Sequence, residues 1–177
     1  MSIEYRLSRP DEYEAAEALA ARAFGPGRFA KSAYRLREGV HADTRLSYVA
    51  VMGGTIVGTI QYWPVAIGAS HCVLLGPLAV EEAARGQGAG LELMRATLPV
   101  AAALGYEAAI LVGDEPYYAK VGFKRVAQGT IEFSGPVNPA RLLILPLRED
   151  VATPSGKAMR ARLDEPQAAA GCGLANQ

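Results

Sequence analysis

The chain of 177 residues carries 18 Lys and Arg against 18 Asp and Glu, so its net charge is zero, and half of its residues are hydrophobic. A chain of this length buries about 70% of its unfolded surface without help from a metal or disulfide, which predicts one domain and excludes wholesale disorder. The missing basic excess argues against a nucleic-acid binder, and the two cysteines, Cys72 and Cys172, belong to no CxxC pair or Cys/His cluster that could hold zinc. Residues 1–14 lack the apolar centre of a signal peptide. No apolar run approaches the roughly 18 residues of a membrane span, so a soluble, cytoplasmic protein is expected.

Residues 3–7 alternate apolar and polar and predict a short strand. Pro10 and Asp11 open a helix with Ala15, Ala18, Leu19, Ala23 and Phe24 along one stripe, stopped by Gly25-Pro26-Gly27. A second, basic helix over 28–38 ends at Gly39. Residues 45–52 read as a strand, Gly53-Gly54 as a two-residue hairpin turn, and 55–63 as its partner. Residues 71–80 are apolar almost throughout, the pattern of a central strand buried on both faces. A helix from about 88 to 104 follows, in which Pro99 removes one backbone bond and is expected to kink the axis. The apolar strand 107–112 precedes a short helix begun by Asp114, Glu115 and Pro116 and ended by Gly122. Two further strands are expected near 123–133 and 141–147. Strand, helix and strand around 71–112 require one parallel pair with a crossover helix, and the flanking hairpins bring antiparallel neighbours. Residues 1–147 therefore predict one α/β domain, a mixed central sheet with helices on its faces. Residues 148–177 show no strand or amphipathic period and read as a peripheral tail, with at most a short helix over 157–163.

Three local features carry chemistry. Arg85-Gly86-Gln87-Gly88-Ala89-Gly90 lies between the buried strand and the crossover helix. Glycines there let the backbone approach a ligand, and the free N–H groups and dipole of a helix start favour an anion, so phosphate or pyrophosphate is the expected ligand. The bland alternative is a tight strand-to-helix turn. A dinucleotide fingerprint fails because its last glycine falls on Leu91, and no Gly-Lys-Ser or Gly-Lys-Thr follows for a nucleoside triphosphate. Upstream, Gly76-Pro77 interrupts the apolar run. A bulge there frees main-chain groups around Leu78, Ala79 and Val80 and splays the strand from its parallel neighbour, opening a slot lined by backbone. A bulge that only bends the sheet is the alternative. Downstream, Tyr117-Tyr118-Ala119-Lys120-Val121-Gly122-Phe123 sets a tyrosine near the end of that slot, as a general acid or as simple packing.

Together these residues resemble the GNAT superfamily of acetyl-CoA-dependent N-acetyltransferases. Arg85-x-x-Gly88-x-Gly90 resembles its signature of Gln or Arg, two residues, Gly, one residue, then Gly or Ala. Leu78-Ala79-Val80 resembles its coenzyme-binding strand, and Tyr118-Ala119-Lys120-Val121-Gly122-Phe123 its Tyr-x-Lys-x-Gly-Phe pattern, in matching order over residues 2–147. The resemblance implies a GNAT-type mixed central β-sheet with helices on both faces, acetyl-CoA as co-substrate, no metal, and an amine acceptor that is a small molecule or peptide. It implies that Arg85 and the N–H groups of Gly86, Gln87, Gly88, Ala89, Gly90 and Leu91 hold the CoA pyrophosphate, and that Leu78, Ala79 and Val80 receive pantetheine. It further implies that the Leu78 N–H polarises the acetyl carbonyl. Tyr118 would protonate the departing thiolate, and the amine would attack directly in a ternary complex without an acyl-enzyme.

The chain departs from this pattern in places. Many relatives carry an Asn seven residues before the tyrosine, where Leu111 stands here, and no Glu occupies the central strand as a base. His71, Asp114, Glu115 or a water chain are the candidate bases, each side chain having an ordinary structural reading. The alternatives to acetyl transfer are another acyl-CoA donor, a non-catalytic CoA-binding or sensor module, and a phosphate-binding module unrelated to CoA. Near the acceptor end, Arg28, Lys31, Arg35 and Arg37 stand against Glu38. A carboxylate-bearing acceptor would suit them, but a solvated helix face is the favoured reading. No nucleic acid and no membrane are expected as partners; a homodimer is compatible with this class.

Overall fold

The computed structural model describes residues 1–25 and 32–161. In chain order its elements are β1 (Ile3–Leu7), α1 (Tyr13–Phe24), α2 (Ser32–Arg35), β2 (Tyr48–Met52), β3 (Thr55–Ile67), β4 (Ser70–Val80), α3 (Ala89–Ala103), β5 (Ala108–Val112), α4 (Glu115–Tyr118), β6 (Lys124–Arg125), β7 (Ile131–Glu132), β8 (Leu142–Pro146) and β9 (Gly156–Arg160). The strands run β1-β2-β3-β4-β5-β8-β6 across one mixed sheet, with β9 pairing both β3 and β7. Within the main sheet β4 and β5 are parallel, joined by α3 as the crossover helix, and the other neighbours are antiparallel. Gly53 and Gly54 both adopt positive φ, as a tight hairpin between β2 and β3 requires.

The central strands are apolar throughout because both of their faces are covered. Val73 and Leu75 of β4, with Ala109 and Leu111 of β5, point to the α3 side, where Leu93, Met94 and Leu98 meet them. Cys72, Leu74, Ala108 and Ile110 point to the opposite side. That face also receives α1 through Leu19, Ala20 and Ala79. Inside α3, Thr97 donates its hydroxyl to Leu93 C=O at 2.7 Å and meets the buried Tyr62 hydroxyl at 2.8 Å. The helix runs through Pro99 to Ala103.

Several expectations are corrected. The buried stripe of α1 is Ala16, Leu19 and Ala20, about one residue around the helix from the expected Ala15, Ala18, Ala23 and Phe24, which are exposed. The basic helix expected over 28–38 is helical over Ser32–Arg35 and then passes into turns; residues 28–31 lie outside the described residues. β2 starts later than residue 45 because the Asp43 carboxylate accepts the Arg45 N–H at 3.0 Å and caps a single turn over Thr44–Leu46. β3 continues past Trp63, since Val65, Ala66 and Ile67 gain β9 as a second partner. The strand expected over 123–133 is two fragments, β6 and β7, interrupted by a turn with Gly129 at φ +78°. Residues 156–160, read as featureless or as part of a short helix, form β9 instead. Its Ala158 is fully buried against β3 while Lys157 and Met159 face outward.

Candidate active site

β4 pairs with β5 only through Cys72, Val73 and Leu74. Against β3, Leu75 faces Tyr62 but Leu78 faces Ile60, so Gly76 and Pro77 form the bulge that the sequence predicts. Gly76 has φ +134° and the Gly76-Pro77 peptide is cis. The Gly76 carbonyl, turned out of the ladder, accepts the Trp63 indole N–H at 2.8 Å. Past the bulge β4 leaves β5, and a cavity of about 490 Å³ occupies the gap. Its walls include Pro77 and Leu78 on one side, Leu111 and Val112 on the other, and Tyr118, Gln61, Trp63 and Arg37 around them.

The free edge of β4 is presented to this gap. Glu81 N–H bonds to Val57 C=O on β3. Strand alternation therefore turns the main-chain groups of Leu78 and Val80 away from β3, toward the side that β5 has vacated. The Val80 carbonyl accepts Arg85 Nε at 3.3 Å, which holds the arginine beside that edge. Ala79 faces the other way, packed against α1.

At the start of α3, Gly86 and Gly88 have φ of +80° and +77°, and a β-carbon on either would meet open space. The N–H groups of Gly86, Gly88, Ala89, Gly90 and Leu91 have no partner among the described residues. Gln87 does not join them. Its N–H bonds back to Ala84 C=O at 3.4 Å and its side chain to Ala83 C=O at 3.0 Å. Gly90 has a different reason to be glycine: a β-carbon there would collide with the Tyr117 hydroxyl.

Tyr117 and Tyr118 meet edge to face at 5.0 Å and serve different surroundings. Tyr117 lies over Gly90. Tyr118 packs on Gly113, where a β-carbon would strike its ring, and edge-on against Phe123 at 6.1 Å, with the cavity beside it. Burial pushes the Tyr118 phenol up to about 12, so it keeps its proton at neutral pH.

The candidate bases are not gathered here. His71 stands at the far end of β4, about 23 Å of strand from Leu78. Its ring stacks on Tyr106 at 4.6 Å and its main-chain N–H donates to the Glu107 carboxylate at 2.5 Å. Glu115 is paired with Arg125, and Asp114 lies 3.5 Å from Arg141. Trp63 was not singled out from sequence, because nothing local says that a tryptophan will hold a bulge carbonyl. Arg37 was named only within a basic segment for which a solvated face was favoured, because nothing local says which of its cations turns into the cavity.

A model of the acetyltransferase (GNAT) family matches residues 13–123, more than half of the chain. The chain belongs to the GNAT family. It is 28% identical over 148 residues to the uncharacterized N-acetyltransferase YhbS of Escherichia coli K12, spanning 82% of this chain and 87% of that one. The crystal structure of YhbS from E. coli in complex with CoA matches with a TM-score of 0.76 at 26% identity, covering 90% of this chain and 89% of that chain. A GNAT family acetyltransferase from Brucella melitensis in complex with acetyl-CoA matches with a TM-score of 0.64 at 25% identity, covering 90% and 96% of the two chains. The GNAT fold expected from the motifs, a single-domain mixed sheet with helices on both faces, is the fold observed. The slot of this GNAT chain thus has the β4 edge along it, the glycine loop beyond Val80, and Tyr118 in its wall. Leu111, which replaces the family's frequent Asn, lines the cavity as an apolar wall. Among the described residues, no helix is long and apolar enough to cross a membrane.

Proposed function

We propose that this protein transfers the acetyl group of acetyl-CoA to a primary amine of a small molecule or peptide, by direct attack in a ternary complex. The observation that carries the reading is two stretches of free main-chain groups at one end of the slot: the β4 edge at Leu78 and the Val80 N–H, and the N–H groups of Gly86, Gly88, Ala89, Gly90 and Leu91. Amide groups of a pantetheine arm would pair with the first part, and a pyrophosphate suits the second, where N–H groups and the α3 dipole converge. Arg85, held beside Val80, would add a cation to the same end, and Ala79 keeps that stretch of β4 seated on α1. Gln87 contributes through the turn it shapes rather than through its own N–H.

At the reacting end, the Leu78 N–H would face the acetyl carbonyl and stabilise the oxyanion that forms as nitrogen attacks. The C–S bond then breaks, the amide forms, and one proton from nitrogen must end on sulfur. A phenol held near 12 is a weaker acid than a thiol by roughly three powers of ten. Tyr118 therefore acts chiefly as a hydrogen-bond donor to the developing thiolate, passing its proton only as nitrogen gives one up. Among the described residues none of His71, Asp114 and Glu115 lines the cavity, and Glu17 is the carboxylate that does, which favours proton loss through water. The cytoplasm is the expected setting for this chemistry.

The test is thermal denaturation with acetyl-CoA, followed by release of free CoA across a panel of amines. Coenzyme at one hundred times its dissociation constant should stabilise the fold by about 2.7 kcal/mol. No shift at millimolar acetyl-CoA would overturn the reading.

A further inference from the structure

Arg37 is a half-buried cation whose Nε lies wholly out of solvent, and no carboxylate pairs with it among the described residues. Its neighbour Leu36 is buried in the core at 5% exposure, which anchors this stretch of chain. The guanidinium lies 5.7 Å from the Tyr34 ring and 5.6 Å from the Trp63 ring. Trp63 is itself held by the Gly76 carbonyl, so the aromatic wall is fixed to the bulge. Arg37 Nε is buried with no hydrogen-bond partner, and no ion pair reaches Arg37 among the described residues. Other partly buried arginines do meet one: Arg6 meets Glu12 at 2.7 Å and Arg45 meets Asp43 at 2.7 Å. The Glu17 carboxylate lines the same cavity and favours the charged guanidinium from a distance, without an ion pair to it. Burial lowers Arg37 to about 10, so it remains charged at neutral pH.

Its position relates it to the reacting centre. The nearest atom to a β-carbon on Gly76 would be Arg37 Nη2, at 2.9 Å, so the guanidinium overhangs the bulge itself. Gly76 and Leu78 are two residues apart across the bulge, at most about 7 Å. That is the span of an amine nitrogen at the acetyl carbon, one or two carbons, a carboxylate, and one hydrogen bond. Aromatic faces offset only part of the cost of a desolvated cation, and the remainder is met when an anion arrives. One unpaired guanidinium matches one negative charge, a carboxylate rather than a phosphate dianion. Arg141, also at the cavity, is already near Asp114. A cavity of about 490 Å³ suits a small molecule.

We propose that Arg37 is the specificity-determining residue for the acceptor, binding the carboxylate of a small amine of the amino-acid class. This rests on the acetyl-transfer reading above and names the acceptor for the same slot. The experiment follows CoA release with each amino acid and its matched amide, for wild type, Arg37→Gln and Arg37→Lys. Thermal stabilisation by the same ligands is measured without coenzyme. Wild type should prefer carboxylate over amide by about tenfold to a hundredfold in kcat/KM, the worth of a charge-assisted, bidentate hydrogen bond. In Arg37→Gln that ratio should fall toward one, mostly through KM, while acetyl-CoA still binds by calorimetry. Arg37→Lys, which keeps charge without the planar fork, should recover part of the preference.

Equal use of acid and amide, preference for polyamines, or an equal loss on both in Arg37→Gln would overturn the assignment. So would a protein that binds acetyl-CoA and acetylates no carboxylate-bearing amine. If acetyl-CoA does not bind, the acetyl-transfer reading has failed by itself. Stabilisation by an amino acid over its amide, lost in Arg37→Gln, would still support a carboxylate site, and its absence would remove that site too.

Discussion

At the scale of single residues, two adjacent tyrosines make the sharpest test. The Tyr118 ring is fixed by Gly113 and Phe123 with the cavity beside it, whereas the Tyr117 hydroxyl is spent against Gly90. Tyr118→Phe keeps the ring and its packing. It should bind acetyl-CoA as wild type does and lose about tenfold to a hundredfold in kcat, the worth of a hydrogen bond to a charged group. Tyr117→Phe should turn over near the wild-type rate, and steady-state kinetics of the pair on one amine decide between them. Loss in Tyr117→Phe alone would move the role to the neighbouring residue. Tyr118 was legible because a tyrosine two residues before Lys120 and four before Gly122 is a local pattern. Arg37 was visible only as one charge in a basic segment, for which a solvated face was the favoured reading. Its place over the bulge depends on Trp63 and Gly76, which lie far along the chain. His71 erred in the opposite way: its polar side chain at the edge of an apolar run says nothing about which end of the strand carries the slot.

At the scale of elements, the glycine loop separates charge from conformation. Gly88 caps α3 in a left-handed conformation with open space around it, so a side chain there is strained by backbone rather than by neighbours. Asp and Asn are the residues that best tolerate such a φ, and either should cost about 1 kcal/mol of stability. Gly88→Asp should then abolish detectable acetyl-CoA binding by calorimetry, because its carboxylate sits where an anion is expected. Gly88→Asn, equal in size and strain, should retain measurable binding. Equal affinity of the two variants would show that the helix start does not receive the pyrophosphate. The bulge, the parallel pair and the crossover helix were all readable, since Gly, Pro and uninterrupted apolar runs act locally. The α1 stripe was read about one residue out of phase because alanines dominate that helix and define its apolar face poorly.

At the scale of the whole molecule, β9 and Asp43 show what local patterns omit. β9 buries only Ala158 deeply, so five residues with one core position carry no period to read, and its pairing with β3 is a long-range fact. Asp43 ties separate parts of the fold together. Its N–H bonds to Tyr62 C=O on β3, and its carboxylate accepts Arg45 at 2.7 Å and the Tyr106 hydroxyl at 2.8 Å, just before β5. Burial alone would raise this fully buried carboxyl, but the bonds from Arg45 and Tyr106 outweigh it and hold it below the usual Asp value. Because the folded pKa lies below the unfolded one, the stabilisation is complete above the ordinary Asp range near 4 and is lost as pH falls from there through the lower folded value. Asp43→Asn keeps the shape and loses the charge. Arg45 is 40% exposed, so water takes over part of its share, and the variant should be less stable by about 2 kcal/mol at pH 7. Urea unfolding of both proteins at pH 7 and pH 3 should give a stability gap that narrows in acid, since the wild type loses at low pH what the variant never had. A gap of the same size at both values would mean that Asp43 holds the fold by shape alone and that its charge contributes nothing.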